Sequence, residues 1–400
     1  MGLKPLPALL PVAGIRLGTA KANIRKPDRR DLVVIECAPG TRAAAVFTQN
    51  RFCAAPVEIA RAHLALEAPR ALLINTGFAN AGTGTEGRED ALACCAALAQ
   101  RFQVDIHRIL PFSTGVIGER LPVERILAGL PACVDALRED GWHDAAYGIM
   151  TTDTMPKGAS REVSIGGKRV VLTGICKGAG MIEPNMATML AFVATDAAIE
   201  GEALQRVLGA ATQSSFNRIS VDGDTSTNDA CVLLASGSGA TLHSEVELSA
   251  FAAALKDLMQ HLAQAIVRDA EGATKFMTIK VINGANEADC LAVAYTVARS
   301  PLVKTAFFAS DPNWGRILAA IGRAPIERLE VGRVGVHIGD VCVVDAGARA
   351  PGYREVNGAR AMKAPDIEVR IDLASGTACA EVWTCDLSHD YVRINAEYRS

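Results

Sequence analysis

The amino-acid sequence predicts an α/β fold, a layered sandwich in which buried β-sheets are flanked by helices. Short, unbroken apolar runs alternate with amphipathic helical patterns along the chain, and strands of that kind belong to sheets covered on both faces. The composition agrees: 50% of the residues are hydrophobic, 21% charged and only 5% aromatic, a balance that supports a large core and argues against disorder. Strands are expected at residues 32–36, 71–75, 169–173, 189–193, 231–234 and 341–344, each a short β-rich run. The clearest helix carries Phe251, Leu255, Leu258, Leu262 and Ile266 at i, i+4, i+7, i+11 and i+15, a full apolar stripe. A second helix is expected from about Arg88. A third is expected to open with Pro122 as its first residue, where the missing N–H removes a donor that the first turn leaves unpaired anyway.

At 400 residues the chain exceeds the size at which one core usually keeps growing, so two domains or two closely packed halves are expected. A net charge of -3 offers no general attraction to nucleic acid or anionic lipid, and neither partner is expected. No apolar run reaches membrane-spanning length, and the proline-broken start from Met1 to Pro7 makes a poor signal peptide. The 11 cysteines include the adjacent Cys94 and Cys95 and lack metal-ligand spacing, which reads as reduced thiols of a cytoplasmic protein. There is no G-x-S-x-G, H-E-x-x-H or C-x-x-C, and the 7 histidines are scattered singly, so serine-hydrolase, zinc-protease and dithiol chemistry have no local signature.

The most informative stretch is Lys177-Gly178-Ala179-Gly180-Met181-Ile182-Glu183-Pro184-Asn185-Met186-Ala187-Thr188. A threonine hydroxyl can attack the carbonyl of the residue before it; Ala187 leaves that carbonyl open, and the glycines permit the strained turn the attack needs. Hydrolysis of the resulting ester would free the α-amino group of Thr188. That amine, with a reference pKa of about 7.7 to 8.0, can serve as base for its own hydroxyl. A threonine that merely opens a strand after a Gly/Pro/Asn loop has the same local pattern, so this stretch alone leaves both readings open.

Other polar clusters stand where strands end. Residues 111–118, with Ser113, Thr114 and Gly115, could aim a hydroxyl and a backbone N–H at one point, as an oxyanion hole requires; a simple turn fits the same residues. Thr151-Thr152-Asp153-Thr154 offers hydroxyls and a carboxylate, in a run that also suits an Asx turn or a cap. Residues 269–275, with Asp269 and Glu271, follow the long helix and place a carboxylate at its C-terminal end, where the helix dipole disfavours negative charge and a cationic partner, such as a substrate amine, is wanted. Gly82 to Gly87 formally matches G-x-G-x-x-G, but Gly82 stands seven positions after Asn75, too far for the tight turn of a dinucleotide site. Residues 222–229 resemble a calcium loop, yet Thr227 stands where glycine is needed and Leu233 where a bidentate Glu is needed.

Taken together, residues 177–188, 151–154, 113–115, 222–229, 271–275, 310–316 and 395–400 resemble, in order and across essentially the whole chain, the ornithine acetyltransferase family of arginine biosynthesis. One departure lies at residues 75–82, where the family usually carries Asn at the position of Phe78 and often Cys at that of Gly82. The resemblance implies an N-terminal-nucleophile-type autoprocessing enzyme of the ornithine acetyltransferase fold. Its precursor cuts itself between Ala187 and Thr188 into an α chain (1–187, with the oxyanion hole and part of the substrate site) and a β chain (188–400), assembled as α2β2. It further implies that Thr188 passes an acetyl group from N2-acetylornithine to glutamate by a ping-pong cycle. Thr114 and Gly115 match the family's oxyanion hole, and Thr151, Lys177, Thr188, Glu271, Asn395 and Ser400 its substrate-binding positions. Lys177 suits the α-carboxylate common to both amino acids, and Glu271 the side-chain ammonium of ornithine. No cofactor or metal is expected; some members also accept acetyl-CoA, which stands as a candidate co-substrate. The rival functions are an N-terminal-nucleophile amidase or aminopeptidase, with water as acceptor, and a dinucleotide-binding oxidoreductase built on Gly82 to Gly87.

Overall fold

The protein is described from a computed structural model covering residues 5–183 and 189–397. The chain runs β1 (Ile15–Ala20), β2 (Leu32–Cys37), β3 (Arg42–Phe47), α1 (Ala55–Leu66), β4 (Ala71–Phe78), α2 (Gly84–Phe102), β5 (Ile109–Val116), α3 (Val123–Asp135) and α4 (Trp142–Gly148). It continues through β6 (Lys157–Ile165), β7 (Lys168–Lys177), β8 (Leu190–Thr195), α5 (Gly201–Gln213), β9 (Ile219–Ser220), β10 (Ala230–Ala235) and α6 (Glu245–Arg268). The last third holds β11 (Phe276–Gly284), α7 (Glu287–Ala298), α8 (Pro301–Phe308), α9 (Trp314–Gly322), β12 (Gly335–Ile338), β13 (Val341–Asp345), β14 (Ala348–Arg349), α10 (Glu355–Ala361), β15 (Asp366–Asp372), β16 (Ala378–Cys385) and α11 (His389–Ala396).

These elements form two compact units. The larger, residues 4–217 and 224–266, holds two mixed sheets of order β1-β2-β4-β5 and β3-β10-β8-β7-β6. Their inner faces pack together: Val33, Ile35, Leu72, Ile74, Leu110 and Phe112 of one meet Val171, Ile175, Leu190, Phe192, Val232 and Leu234 of the other. The Phe112 and Phe192 rings make an edge-to-face contact at 5.2 Å. Because side chains alternate along a strand, the intervening Leu32, Val34, Ala71, Leu73 and Ile109 face the other way, onto Cys94, Cys95 and Leu98 of α2 and Ile126 and Leu130 of α3. On the far face of the second sheet, Gly174 leaves room for Leu258 and Leu262 of α6. The result is the helix–sheet–sheet–helix sandwich that the unbroken apolar strands predict: β2, β8 and β10 are buried along their entire lengths.

The smaller unit, residues 218–223 and 267 onward, is a seven-stranded sheet of order β14-β13-β12-β15-β11-β16-β9. Its core joins Ile279 and Val281 of β11 and Val369 and Ile371 of β15 to Val293 and Val297 of α7 and Ile317 and Ile321 of α9.

Two expected helix boundaries shift. The second helix opens at Gly84 rather than Arg88, because residues 84–88 are polar and carry no apolar stripe to mark the first turn. Pro122 is the N-cap of α3, one residue before the helix begins. The apolar stripe of α6 is as expected, with all five marker residues buried. All 11 cysteines are free and only Cys379 is exposed; burial pushes the thiols of Cys37, Cys94 and Cys133 up to about 12, out of nucleophilic range. Among the described residues no helix is long and apolar enough to cross a membrane.

Candidate active site

In the larger unit, β4 and β5 run parallel and end side by side, with Gly77 opposite Gly115. Gly115 has φ +135°, and a Cβ there would lie 2.2 Å from the Gly77 carbonyl carbon. Only glycine permits this approach, and it sets the Thr114–Gly115 backbone at the sheet's end. Thr114 is buried, its hydroxyl 3.4 Å from the Nζ of Lys177 at the end of β7. An expected oxyanion donor from one sheet and an expected carboxylate-binding cation from the other therefore meet.

Two polar side chains brace this corner. Asn228 donates through Nδ2 to the carbonyl oxygens of Ser113 (2.9 Å) and Ala79 (2.5 Å) while accepting from the Thr227 hydroxyl at 2.6 Å. Asn75 accepts from the Ser113 hydroxyl at 2.6 Å and donates to the Phe78 carbonyl at 3.0 Å. Both asparagines are buried with these partners, as buried amides must be. The segment holding Asn228, whose pattern fails as a calcium loop, is thus a strut: Thr225 also donates to the Glu183 carbonyl at 3.1 Å. At the family departure, Phe78 lies under the Arg25 guanidinium at 5.5 Å, and Gly82 has φ +67°.

Thr151 and Lys177 are tied to one buried carboxylate. Asp153 accepts from the Lys157 Nζ at 2.6 Å, the Gly178 N–H at 2.7 Å and the Thr151 N–H at 2.9 Å, and the Asp153–Lys157 side chains are fully buried. Burial opposes ionisation of Asp153, but the Lys157 and Lys177 charges and these hydrogen bonds outweigh it and hold the carboxyl well below the usual range. Thr151 and Asp153 line an open cavity of about 360 Å³ with Arg29, Arg30, Tyr147 and Met150. The bond from the Thr151 N–H runs back two residues from Asp153, the reverse of an Asx turn, and the clasp on Gly178 lies 25 residues on; neither was legible locally.

The smaller unit carries Glu271 and Asn395. Glu271 is buried after the end of α6, and the Asn395 Nδ2 on α11 donates to its Oε2 at 2.8 Å. Residues Ala187, Thr188 and Ser400, and with them the expected scission, lie outside the described residues.

The G-x-G-x-x-G match has a packing explanation. A Cβ on Gly87 would strike the Thr83 hydroxyl at 1.9 Å and the Asn80 Oδ1 at 2.4 Å, while Asn80 donates to the Gly87 carbonyl at 2.7 Å. These glycines let a helix start close to a buried asparagine.

The Thr114 hydroxyl, the Gly115 backbone and Lys177 stand at the joined ends of two stacked sheets, and the fold is that of a layered α/β enzyme. The model of the ArgJ family matches residues 16–400, and the chain belongs to that family, acetyltransferases of arginine biosynthesis. It is 58% identical over 395 residues to the arginine biosynthesis bifunctional protein ArgJ of Methylococcus capsulatus, covering 98% of this chain and 97% of that one. It is 54% identical to ArgJ of Pseudomonas fluorescens over the full length of both. It is also similar to the crystal structure of ArgJ from Bacillus halodurans, with 40% identity and a TM-score of 0.50 over 52% of this chain and 99% of that one. This membership sets the oxidoreductase reading aside.

Proposed function

We propose that this protein moves the acetyl group of N2-acetylornithine to glutamate, giving ornithine and N-acetylglutamate, through an acetyl ester on Thr188 formed after self-cleavage between Ala187 and Thr188. In the processing step the Thr188 hydroxyl adds to the Ala187 carbonyl, the peptide C–N bond breaks to leave an ester, and water hydrolyses it. The freed α-amine then takes the hydroxyl proton as Thr188 attacks the acetyl carbonyl. The Thr114 hydroxyl and the Gly115 N–H stabilise the oxyanion. Collapse expels ornithine, whose nitrogen takes the proton back, and the amine of glutamate repeats the cycle in reverse.

Lys177 and Thr151 hold the substrate α-carboxylate, and Glu271 holds the ornithine ammonium; Asn395 and Ser400 complete the binding set. Acetyl transfer between amines through a threonyl ester needs only positioning, proton transfer and electrostatics, so no cofactor enters the reading. Acetyl-CoA is a candidate second donor. The processed chains, 1–187 and 188–400, stay together as an α2β2 assembly in the cytoplasm.

The observation that carries this reading is the meeting of Lys177 and Thr114 at 3.4 Å in a chain of the ArgJ family. Initial rates of acetylornithine consumption against glutamate concentration test it. Consumption that requires glutamate, with parallel double-reciprocal lines, is expected. Consumption indifferent to glutamate would make the protein an amidase with water as acceptor.

A further inference from the structure

Glu271 sits on the seven-residue loop, 269–275, between α6 and β11, and a loop carboxylate selects a substrate only if its backbone is held. We propose that Asp386 is a positioning residue that fixes this loop against α11, so that Glu271 can recognise the side-chain ammonium of the acetylated donor; the inference rests on the function proposed above.

Asp386 is buried just after β16, 111 residues from the loop it grips. Its Oδ1 accepts the backbone N–H groups of Thr274 at 2.8 Å and Lys275 at 3.0 Å, and its Oδ2 accepts the Thr274 hydroxyl. One carboxylate therefore takes three donors from two adjacent loop residues. Two residues further along, the Ser388 hydroxyl donates to the Gly272 carbonyl at 2.6 Å, and Ser388 caps α11. Gly272 has φ +67°, and a Cβ there would lie 2.5 Å from the Tyr391 backbone nitrogen. The loop thus passes so close to the first turn of α11 that only glycine fits.

The far end of α11 returns to the same loop, where Asn395 donates to Glu271. Tyr391, midway, donates its hydroxyl to Asp222 at 3.1 Å. On the opposite side the Lys275 Nζ donates to the Phe307 carbonyl and, at 2.6 Å, to the Ser310 hydroxyl. Residues 271, 272, 274 and 275 are thereby each fixed by at least one hydrogen bond that involves a side chain. A carboxylate so held cannot swing to follow a shorter or uncharged substrate, and discrimination for the ammonium is the expected consequence.

The test compares processed wild-type enzyme with Asp386→Ala and Asp386→Asn on two donors, N2-acetylornithine and N2-acetylnorvaline, the second lacking the side-chain ammonium. Wild type should favour acetylornithine. Asp386→Ala should raise KM for acetylornithine by roughly tenfold while kcat for both donors, and KM for acetylnorvaline, change little, so the preference collapses. Asp386→Asn keeps an oxygen able to accept both backbone N–H groups and should restore most of the preference. Adding Asp386→Ala to Glu271→Gln should cost no further selectivity, since the two act as one unit. An equal fall for both donors, or an unchanged preference, would overturn the proposal. If Asp386→Ala does not fold, Ser388→Ala, which releases the Gly272 carbonyl together with the cap on the Tyr391 N–H, should lower the preference in the same direction, and an unaltered preference there would be equally decisive against it. Absence of acetylornithine turnover in the wild type would instead overturn the parent function, a result read independently of any variant.

Discussion

Lys177 at the end of β7 places its ammonium 3.4 Å from the Thr114 hydroxyl at the end of β5, so each sheet of the sandwich contributes one member of a single polar pair. In an N-acetylated amino acid, only the amide nitrogen and the α-carbon separate the acetyl carbonyl from the α-carboxylate. On the proposed function a cation for the carboxylate and a donor for the developing oxyanion must stand near one another, and the stacking of the two sheets brings Lys177 and Thr114 together.

Thr114→Ala removes the hydroxyl and leaves the backbone of β5 in place. Turnover should fall by about 10²-fold, the loss typical of one oxyanion donor, with KM for acetylornithine little changed. Steady-state kinetics of the processed variant check this; wild-type turnover would reassign Thr114 to structure.

Lys177→Met keeps the apolar stem and deletes the charge. If the ammonium binds the α-carboxylate shared by both substrates, KM should rise for acetylornithine and for glutamate alike, by about 10- to 100-fold, matching one charge-assisted hydrogen bond. A rise for only one substrate would contradict that role.

Gly115→Ala tests the strand-end geometry. The added Cβ meets Gly77 backbone at 2.2 Å at a φ of +135°, so β4 and β5 must separate. Loss of turnover at least as large as for Thr114→Ala is expected, with a lower melting temperature. A variant with wild-type melting and kinetics would contradict the close approach.

Asp153→Asn strands the buried Lys157 charge and should cost about 3–5 kcal/mol, seen in denaturant unfolding. The folded carboxyl of Asp153 is held below its ordinary value of 3.8. Its stabilisation is therefore complete above that value and is lost as the pH falls beneath it towards the folded pKa. The stability gap between wild type and variant should be constant from roughly pH 5 to 8 and narrow only below about pH 4. A gap that closes near neutrality would mean another group controls it.

The elements most legible in the sequence are those whose own residues decide them. The α6 stripe from Phe251 to Ile266 and the apolar runs 190–194 of β8 and 230–235 of β10 declare their type, and both strands are buried along their whole length. Thr114, Lys177 and Glu271 were legible as residues but not as a geometry, because the contact of Thr114 with Lys177 spans 63 residues and depends on which strands stack. The supporting side chains were least visible. Asn228, Asp153 and Asp386 work through partners up to 149 residues away, and nothing local separates them from ordinary turn residues. Strand β6 was missed for a related reason: at a sheet edge it goes from buried Lys157–Ala159 to half-buried and exposed residues and lacks the continuous apolar run that marks its neighbours.

The central claim, that Thr188 is both the scission point and the acetyl carrier, is tested most directly by the mass of the denatured protein after incubation with N2-acetylornithine in the absence of glutamate. Two chains are expected, 1–187 unmodified and 188–400 heavier by one acetyl group on its N-terminal threonine, with glutamate removing the added mass and Thr188→Ala remaining one uncleaved, unacetylated chain. A single intact wild-type chain, or an acetyl group carried anywhere other than Thr188, would contradict it.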